Sequence, residues 1–517
     1  MLKGSKRRIA LVLVIGLLFV LLLGALDASY TRAQIPQTTN QLAERSPRTL
    51  HAPRPSDNPQ HHMSQPPPPS LPQVGFQRTF WILDQYGYLT GTAPPGHYTN
   101  ELATLLAAGE HGAVFFTNGC IDILGEVQAT DRAVTLSQVF DTTIYPCVTD
   151  LAGHPDGTTG DIDGDPRIYI LVSEQIVSYY SQTNELPNGF LSPYSNECEM
   201  FYLYYQTNLE RVAAHEFHHL VWFNNEVDEQ QFAIEGLARY AEYYAGYFAA
   251  QSNLSAGGSD FLAHPDDSLL YWNTFSEDGR PTIIDYAGAY LLTAYIAEIY
   301  GVDILRNLIH EPTDGARGIE TTLHAAGYSI AFNDLYLDWI TTLTINQRGF
   351  ADNRYGYRNI DARITSYGDV TLPHFEEAFD LHYYGTTVHR ISSPSDGLVI
   401  RIQKQVENTV GFIVAFHDAL GWHVQQHMIP EGVTLFTEIP VGIGIDDVYI
   451  ITSFMLANTP NPSRAVGLGP TIPITLTITS ILPPIVLPIA TLLVLIVLSI
   501  AFIIYFCKIK HVRPTPR

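Results

Sequence analysis

Basic residues are scarce in this chain: 28 lysines and arginines stand against 52 acidic residues in 517, a formal net charge of −24. Residues 1–28 and 507–517 hold eight of the basic residues and one acid, so the part between them carries 20 against 51, near −31. Such a surface repels a phosphate backbone, which argues against nucleic acid as a partner and suits solubility outside the cell. Cysteine is scarcer still, at four. Cys507 adjoins a long apolar run, and Cys120, Cys147 and Cys198 allow one disulfide with one thiol left over. Cys120–Cys147 is the preferred pair because both lie in one upstream stretch; three reduced thiols are the equal alternative.

Charge is absent altogether from residues 485–506, which Lys508, Lys510 and Arg513 follow. That pattern predicts a transmembrane helix over 485–506 with a basic cytoplasmic tail over 507–517. At the other end Lys3, Lys6, Arg7 and Arg8 precede an apolar run over 9–26, with small residues at Ala25, Ala28 and Ala33. Residues 1–33 therefore read as a signal peptide or N-terminal anchor. Residues 34–74, rich in Pro, Gln, Ser and Thr, read as a disordered linker. The two ends together predict a single-pass protein of the cell membrane, its catalytic part extracellular and its C-terminus cytoplasmic.

Between the ends the pattern is α+β. Residues 75–350 mix strands such as RIYILV and MFYLYY with helical periodicity over 132–140, 209–223, 234–250, 286–300 and 333–345. Residues 351–475 change to short alternating segments separated by turn residues, an all-β, sandwich-like signature. His389, His417, His423 and His427 are scattered there without a ligand pattern. Residues 476–484 read as a short stalk.

The most informative stretch is HEFHHLVWFNNEVDEQQFAIEGLARYAE, residues 215–242. His215 and His219, four apart on a helix, point from one face and can share one metal ion. Glu216 lies next to His215, where its carboxylate reaches a water on that metal. Glu235 opens the following helix and supplies an oxygen as third ligand. Two imidazoles, one carboxylate and an open fourth position describe a catalytic zinc site. Asn208 and Thr207 offer N-caps for the first helix. His218 is rotated away from the shared direction and reads as a packing residue. Glu242 returns to the face of Glu235 and reads either as a hydrogen-bond partner of a ligand histidine or as a solvated glutamate. Asp161, Asp163 and Asp165 carry the oxygens a Ca2+ ion takes, yet Pro166 and Val172 stand where an EF-hand needs glycine and glutamate, so a plain acidic turn is favoured.

A metzincin needs glycine and histidine three and six residues past His219, and Trp222 and Asn225 stand there instead. Glu235-Gly236-Leu237-Ala238 matches the gluzincin pattern. The chain resembles the hyicolysin-type branch of the gluzincin metallopeptidases, a set of secreted bacterial enzymes. The likeness is strongest over 199–242 and looser through FDTTIYPCV and GDIDGDPRIYILV upstream and DYAGAYLLTAYIAEIYG downstream, about half the chain. It implies a gluzincin-like catalytic unit of mixed sheet plus helical subdomain, Zn2+ held by His215, His219 and Glu235, and Glu216 as general base. It also implies Tyr286 as hydrogen-bond donor to the oxyanion, with Tyr290 in reserve. Aminopeptidases of the clan carry Gly-x-Met-Glu-Asn, which Asn196-Glu-Cys-Glu-Met-Phe-Tyr lacks, so the expected activity is endopeptidase action on protein or peptide substrates. The other reading is a catalytically silent or non-peptide-hydrolysing surface-binding protein on the same fold.

Overall fold

The computed structural model describes residues 71–481 except 86, 88–91, 95, 156–161, 190–191, 227–228, 248–257, 273–282, 395–396, 406, 434, 439–444 and 456–468; beyond them only Ile500 is described. Strands β1 (Gln77–Leu83), β2 (Tyr98–Ala108), β3 (Gly112–Thr117), β4 (Ile168–Ser173), β5 (Tyr179–Tyr180) and β6 (Met200–Tyr204) form one sheet in the order β1-β2-β3-β4-β6-β5. The β1–β2 and β2–β3 pairs are antiparallel, β3, β4 and β6 run parallel, and β5 lies antiparallel on the edge beside β6. GAVFFT and IYILVS are buried along their whole length, as central parallel strands covered on both faces must be. Their alternate side chains serve two cores. Val114, Phe116, Ile170 and Val172 face the helices. Ala113, Phe115, Tyr169 and Leu171 join a smaller core with Phe80 and Tyr202.

The helices are α1 (Asn118–Leu124), α2 (Glu126–Val139), α3 (Tyr145–Ala152), α4 (Leu209–Asn225), α5 (Gln231–Tyr244), α6 (Gly258–Ala263), α7 (Ile283–Tyr300), α8 (Val302–Leu308), α9 (Gly315–Ala325) and α10 (Phe332–Ile345). The helix expected over 132–140 is the second half of α2, which continues through a π turn at Phe140–Ile144. The one expected over 234–250 starts earlier, at Gln231, and stops at Tyr244; Gly246, at φ 85°, takes the left-handed conformation that turns the chain away. Helices α5 and α7 touch closely because Gly236 lacks a side chain. A Cβ there would lie 2.5 Å from Thr293 Oγ1 and 2.7 Å from the Ala289 carbonyl oxygen.

The remaining strands are β7 (Gly368–Asp369), β8 (His374–His382), β9 (Thr386–Ser392), β10 (Gly397–Lys404), β11 (Thr409–Asp418), β12 (Gly421–Ile429), β13 (Leu435–Glu438), β14 (Asp447–Met455) and β15 (Thr471–Ile481). They make two sheets, β13-β10-β15-β8 and β12-β11-β14-β9-β7, whose inward residues, among them Ile400, Leu476, Val414 and Ile450, share one core. That core is continuous with α10: Leu337 packs so close over Gly411 that a Cβ there would meet its Cδ2 at 2.7 Å. The expected boundary at 350/351 thus marks a change of element type across an uninterrupted core.

Three expectations need correction or placement. The stalk over 476–484 does not begin at 476, because residues 476–481 belong to β15, an interior strand pairing with β10 and β8. Ile472, Ile474, Leu476 and Ile478 point inward at period two, the strand signature that a Thr/Pro/Ile-rich composition hides. The preferred Cys120–Cys147 disulfide is not formed: all three described cysteines are free, with Cys120 in the larger core and Cys198 in the smaller one. The expected signal segment, residues 34–70 of the expected linker and the expected membrane helix over 485–506 (Ile500 apart) lie outside the described residues. Among the described residues no single helix is long and apolar enough to cross a membrane; α7 and α8 pass only as a pair bent by 118°, and α7 is largely buried.

Candidate metal centre

Helix α4 starts where Asn208 accepts the Arg211 backbone N–H at 2.9 Å, and no glycine or proline interrupts it. It therefore holds His215 and His219 one turn apart, and α5, packed alongside, brings Glu235 to them. His215 Nε2 lies 3.1 Å from His219 Nε2 and 3.2 Å from Glu235 Oε2, and His219 Nε2 lies 3.4 Å from the same oxygen. Among the described residues these three form the one cluster whose ligand atoms converge, all within 4.8 Å of each other. Lone pairs turned on one another this closely repel unless a proton or a cation lies among them. Atoms about 2.0–2.1 Å from a tetrahedral zinc ion stand about 3.3–3.4 Å apart, so the observed triangle has the edges that ion requires. The residues present fit the metal.

The surroundings point each ligand. Glu242 Oε1 lies 2.9 Å from His215 Nδ1, which assigns the proton to Nδ1 and turns the Nε2 lone pair inward. Burial alone would lower the His215 pKa, but its bonds to Glu235 and Glu242 outweigh that and push it up to about 10. Burial likewise opposes ionisation of Glu235, yet the two histidines hold its carboxyl well below the ordinary value. Glu216 is buried, and burial together with Glu235 and Glu242 raises its carboxyl although His215 and His219 offset part of the effect. A carboxylate shifted upward in this way is a stronger proton acceptor than an ordinary one.

Tyr286 stands beside the cluster, its ring 6.2 Å from that of His215 and 4.9 Å from Trp272. Burial, reinforced by Glu235 and Glu216, raises its hydroxyl pKa, so it remains a donor. Tyr290 is buried in the core next to Tyr243. His218 is fully buried against Trp222, away from the ligand triangle, and burial drives its pKa well down, so it is neutral. Asp163 accepts the Asp165 backbone N–H and pairs with Arg78, while Asp165 accepts from Arg167 and Tyr169; Asp161 lies outside the described residues. These oxygens are committed to protein donors, as in an acidic turn before β4. His389, His417 and His423 pair with Glu377, Asp446 and Asp418 respectively.

Sequence reasoning missed three residues that the geometry brings in. Gln231 Nε2 donates to Glu235 Oε1 at 2.6 Å. Arg239 and Arg211 reach Glu242 at 3.3 and 3.6 Å. Gln231 lies one turn before Glu235 and Arg239 one turn before Glu242, so helical spacing was the available signal.

No protein-family model matches this chain, and neither does any curated protein. Solved structures give only faint likenesses. The crystal structure of PirA aligns at TM-score 0.14 and 13% identity over 20% of this chain and 93% of that one. The infectious bursal disease virus Gx strain structure aligns at 0.11 and 14% over 20% and 28%. A GH115 4-O-methyl-alpha-glucuronidase, BtGH115A, aligns at 0.14 and 7% over 60% and 51%. Likenesses of that strength carry no argument about fold or function. The chain is an α+β protein with a largely buried His, His, Glu cluster and a carboxylate beside it.

Proposed function

We propose that the chain is a zinc-dependent endopeptidase of gluzincin type, anchored in the cell membrane with its catalytic part outside. One observation carries the reading: the convergence of His215 Nε2, His219 Nε2 and Glu235 Oε2 at separations of 3.1, 3.2 and 3.4 Å, with Glu216 buried alongside. His215, His219 and Glu235 hold the metal. A zinc ion there supplies Lewis acidity, which acidifies water and polarises a peptide carbonyl. Glu216 removes the proton from the attacking water and returns it to the departing amine. Tyr286, kept protonated by burial, donates to the oxygen on which charge gathers, a contribution worth about 3 kcal/mol when such a donor is well placed. Glu242 keeps His215 in the metal-binding tautomer. The strongly acidic exterior and the basic residues flanking residues 485–506 support a protein held at a membrane with its soluble part outside the cytoplasm.

The test is metal analysis and peptide-library cleavage by the full chain in detergent, beside Glu216→Gln. One zinc per chain in both proteins, with cleavage reduced at least ~100-fold in the variant, is the expected result. Zinc without cleavage in the wild type would turn the reading toward a silent or non-peptide role. A well-folded protein without stoichiometric zinc would end it.

A further inference from the structure

We propose that Arg239 is a positioning residue that ties the orientation of His215 to that of Tyr286, so that one side chain sets both a metal ligand and the oxyanion donor. The inference rests on the hydrolytic reading above. Arg239 stands on α5 one turn after Glu235 and is 7% exposed. Its Nη1 lies 3.3 and 3.4 Å from the two oxygens of Glu242, and Glu242 in turn bonds Nδ1 of His215 at 2.9 Å. The same guanidinium lies 5.9 Å from the centroid of the Tyr286 ring, within cation–π range. Trp272 meets that ring edge-on at 4.9 Å, so Tyr286 is fixed by two contacts beside His215.

Arg239 is the nearer of two arginines that reach Glu242. Arg211, on α4, also reaches that carboxylate at 3.6 Å. Arg239 touches both partners, Glu242 and the Tyr286 ring. A planar guanidinium donates in its plane to a carboxylate while its face meets an aromatic ring. A lysine ammonium, a compact point charge, serves the carboxylate without covering the ring. Lysine at this position therefore separates the two roles.

The experiment uses the full chain and four proteins: wild type, Arg239→Lys, Arg239→Met and Tyr286→Phe. It adds the Arg239→Lys/Tyr286→Phe double variant. Zinc affinity is read by chelator competition, the visible spectrum of the cobalt-substituted protein reports ligand geometry, and kcat and KM are taken on a fluorogenic peptide. Arg239→Lys is expected to keep zinc affinity within about threefold and the cobalt spectrum unchanged, because its charge still serves Glu242. Its kcat is expected to fall about tenfold with KM unchanged, since a displaced donor weakens only the transition state. The double variant should be no slower than Tyr286→Phe alone. Arg239→Met should weaken zinc binding about tenfold and alter the cobalt spectrum. Wild-type kcat in Arg239→Lys, or losses that multiply in the double variant, overturns the Tyr286 half. Wild-type zinc affinity in Arg239→Met overturns the His215 half. A wild type that binds zinc but cleaves nothing overturns the peptidase reading and the Tyr286 half together, and leaves the His215 half to the affinity measurement.

Discussion

Gln231 Nε2 donates to Glu235 Oε1 at 2.6 Å, which occupies one carboxylate oxygen and leaves Oε2 as the atom facing His215 and His219. The proposed third metal ligand is thus oriented from within its own helix, one turn back. Replacing Gln231 by Leu frees the carboxylate to rotate. Zinc affinity should fall about tenfold, the usual scale for removing a partner that orients a ligand. Helical content should be unchanged. Chelator competition measures it, and an affinity equal to wild type would show that Glu235 needs no such guide.

His218 makes the opposite prediction although it lies between His215 and His219 in the sequence. It is fully buried, and neither ring nitrogen has a hydrogen-bond partner among the described residues. A buried polar group in that condition carries a desolvation cost of about 1–3 kcal/mol, so an apolar side chain of similar volume should be tolerated or better. His218→Leu should therefore keep one zinc per chain and unfold at an equal or higher urea concentration. Loss of zinc in a folded His218→Leu protein would assign the residue to the metal centre after all.

Gly236 tests how the two halves of the site are brought together. A Cβ at that position would lie 2.5 Å from Thr293 Oγ1 and 2.7 Å from the Ala289 carbonyl oxygen, so α5 and α7 must separate to admit it. Overpacking of this kind costs about 1–3 kcal/mol. Because Tyr286 rides on α7 and Glu235 on α5, Gly236→Ala should lower kcat more than zinc affinity. Urea unfolding and steady-state kinetics on the same protein decide it; equal stability to wild type would mean that the helices slide past the added methyl without cost.

The His215, His219, Glu235 cluster is legible in the sequence because its geometry is local. His215 and His219 are one turn apart, and Glu235 lies on the next helix after a short connection, so helical periodicity alone brings them close. Asn208 as N-cap follows from the same local rules. What surrounds the cluster is legible only in part, because it depends on which helix faces which. Arg239 looks like any surface arginine until α5 and α7 are packed, and only then does its guanidinium meet Tyr286. The end of α5 at Tyr244 was hidden by further tyrosines and alanines that keep the helical pattern going past Gly246. The interior strand Thr471–Ile481 was hidden by its threonines and Pro473, which resemble a linker in composition although the alternate isoleucines point to a core. Cys120 and Cys198 lie in different cores and so cannot pair with each other, a fact of sheet topology beyond the reach of cysteine counting; Cys147 packs against the core of Cys120 and is free as well.

Asp338 gives the pH prediction, at the place where α10 meets the β-rich part. It is fully buried, accepts Gln426 Nε2 of β12 at 2.7 Å, and accepts Arg354 Nε at 2.5 Å. Burial raises its carboxyl from 3.8 to about 6, with Arg354 and Gln426 offsetting only part of that cost. The folded protein therefore binds this proton more tightly than the unfolded chain does. Its contribution to stability is full below the unfolded value near 4 and is lost as pH rises through the folded value near 6. Asparagine cannot ionise, so Asp338→Asn lacks that loss. The unfolding free energy of the variant minus that of the wild type should rise between pH 4 and pH 7, by on the order of 2 kcal/mol. Parallel urea titrations across that range measure the difference, in which the titration of every other group cancels. A flat or falling difference would mean that Arg354 keeps Asp338 ionised throughout, and that the joint between α10 and β12 is an ion pair at every pH in the window.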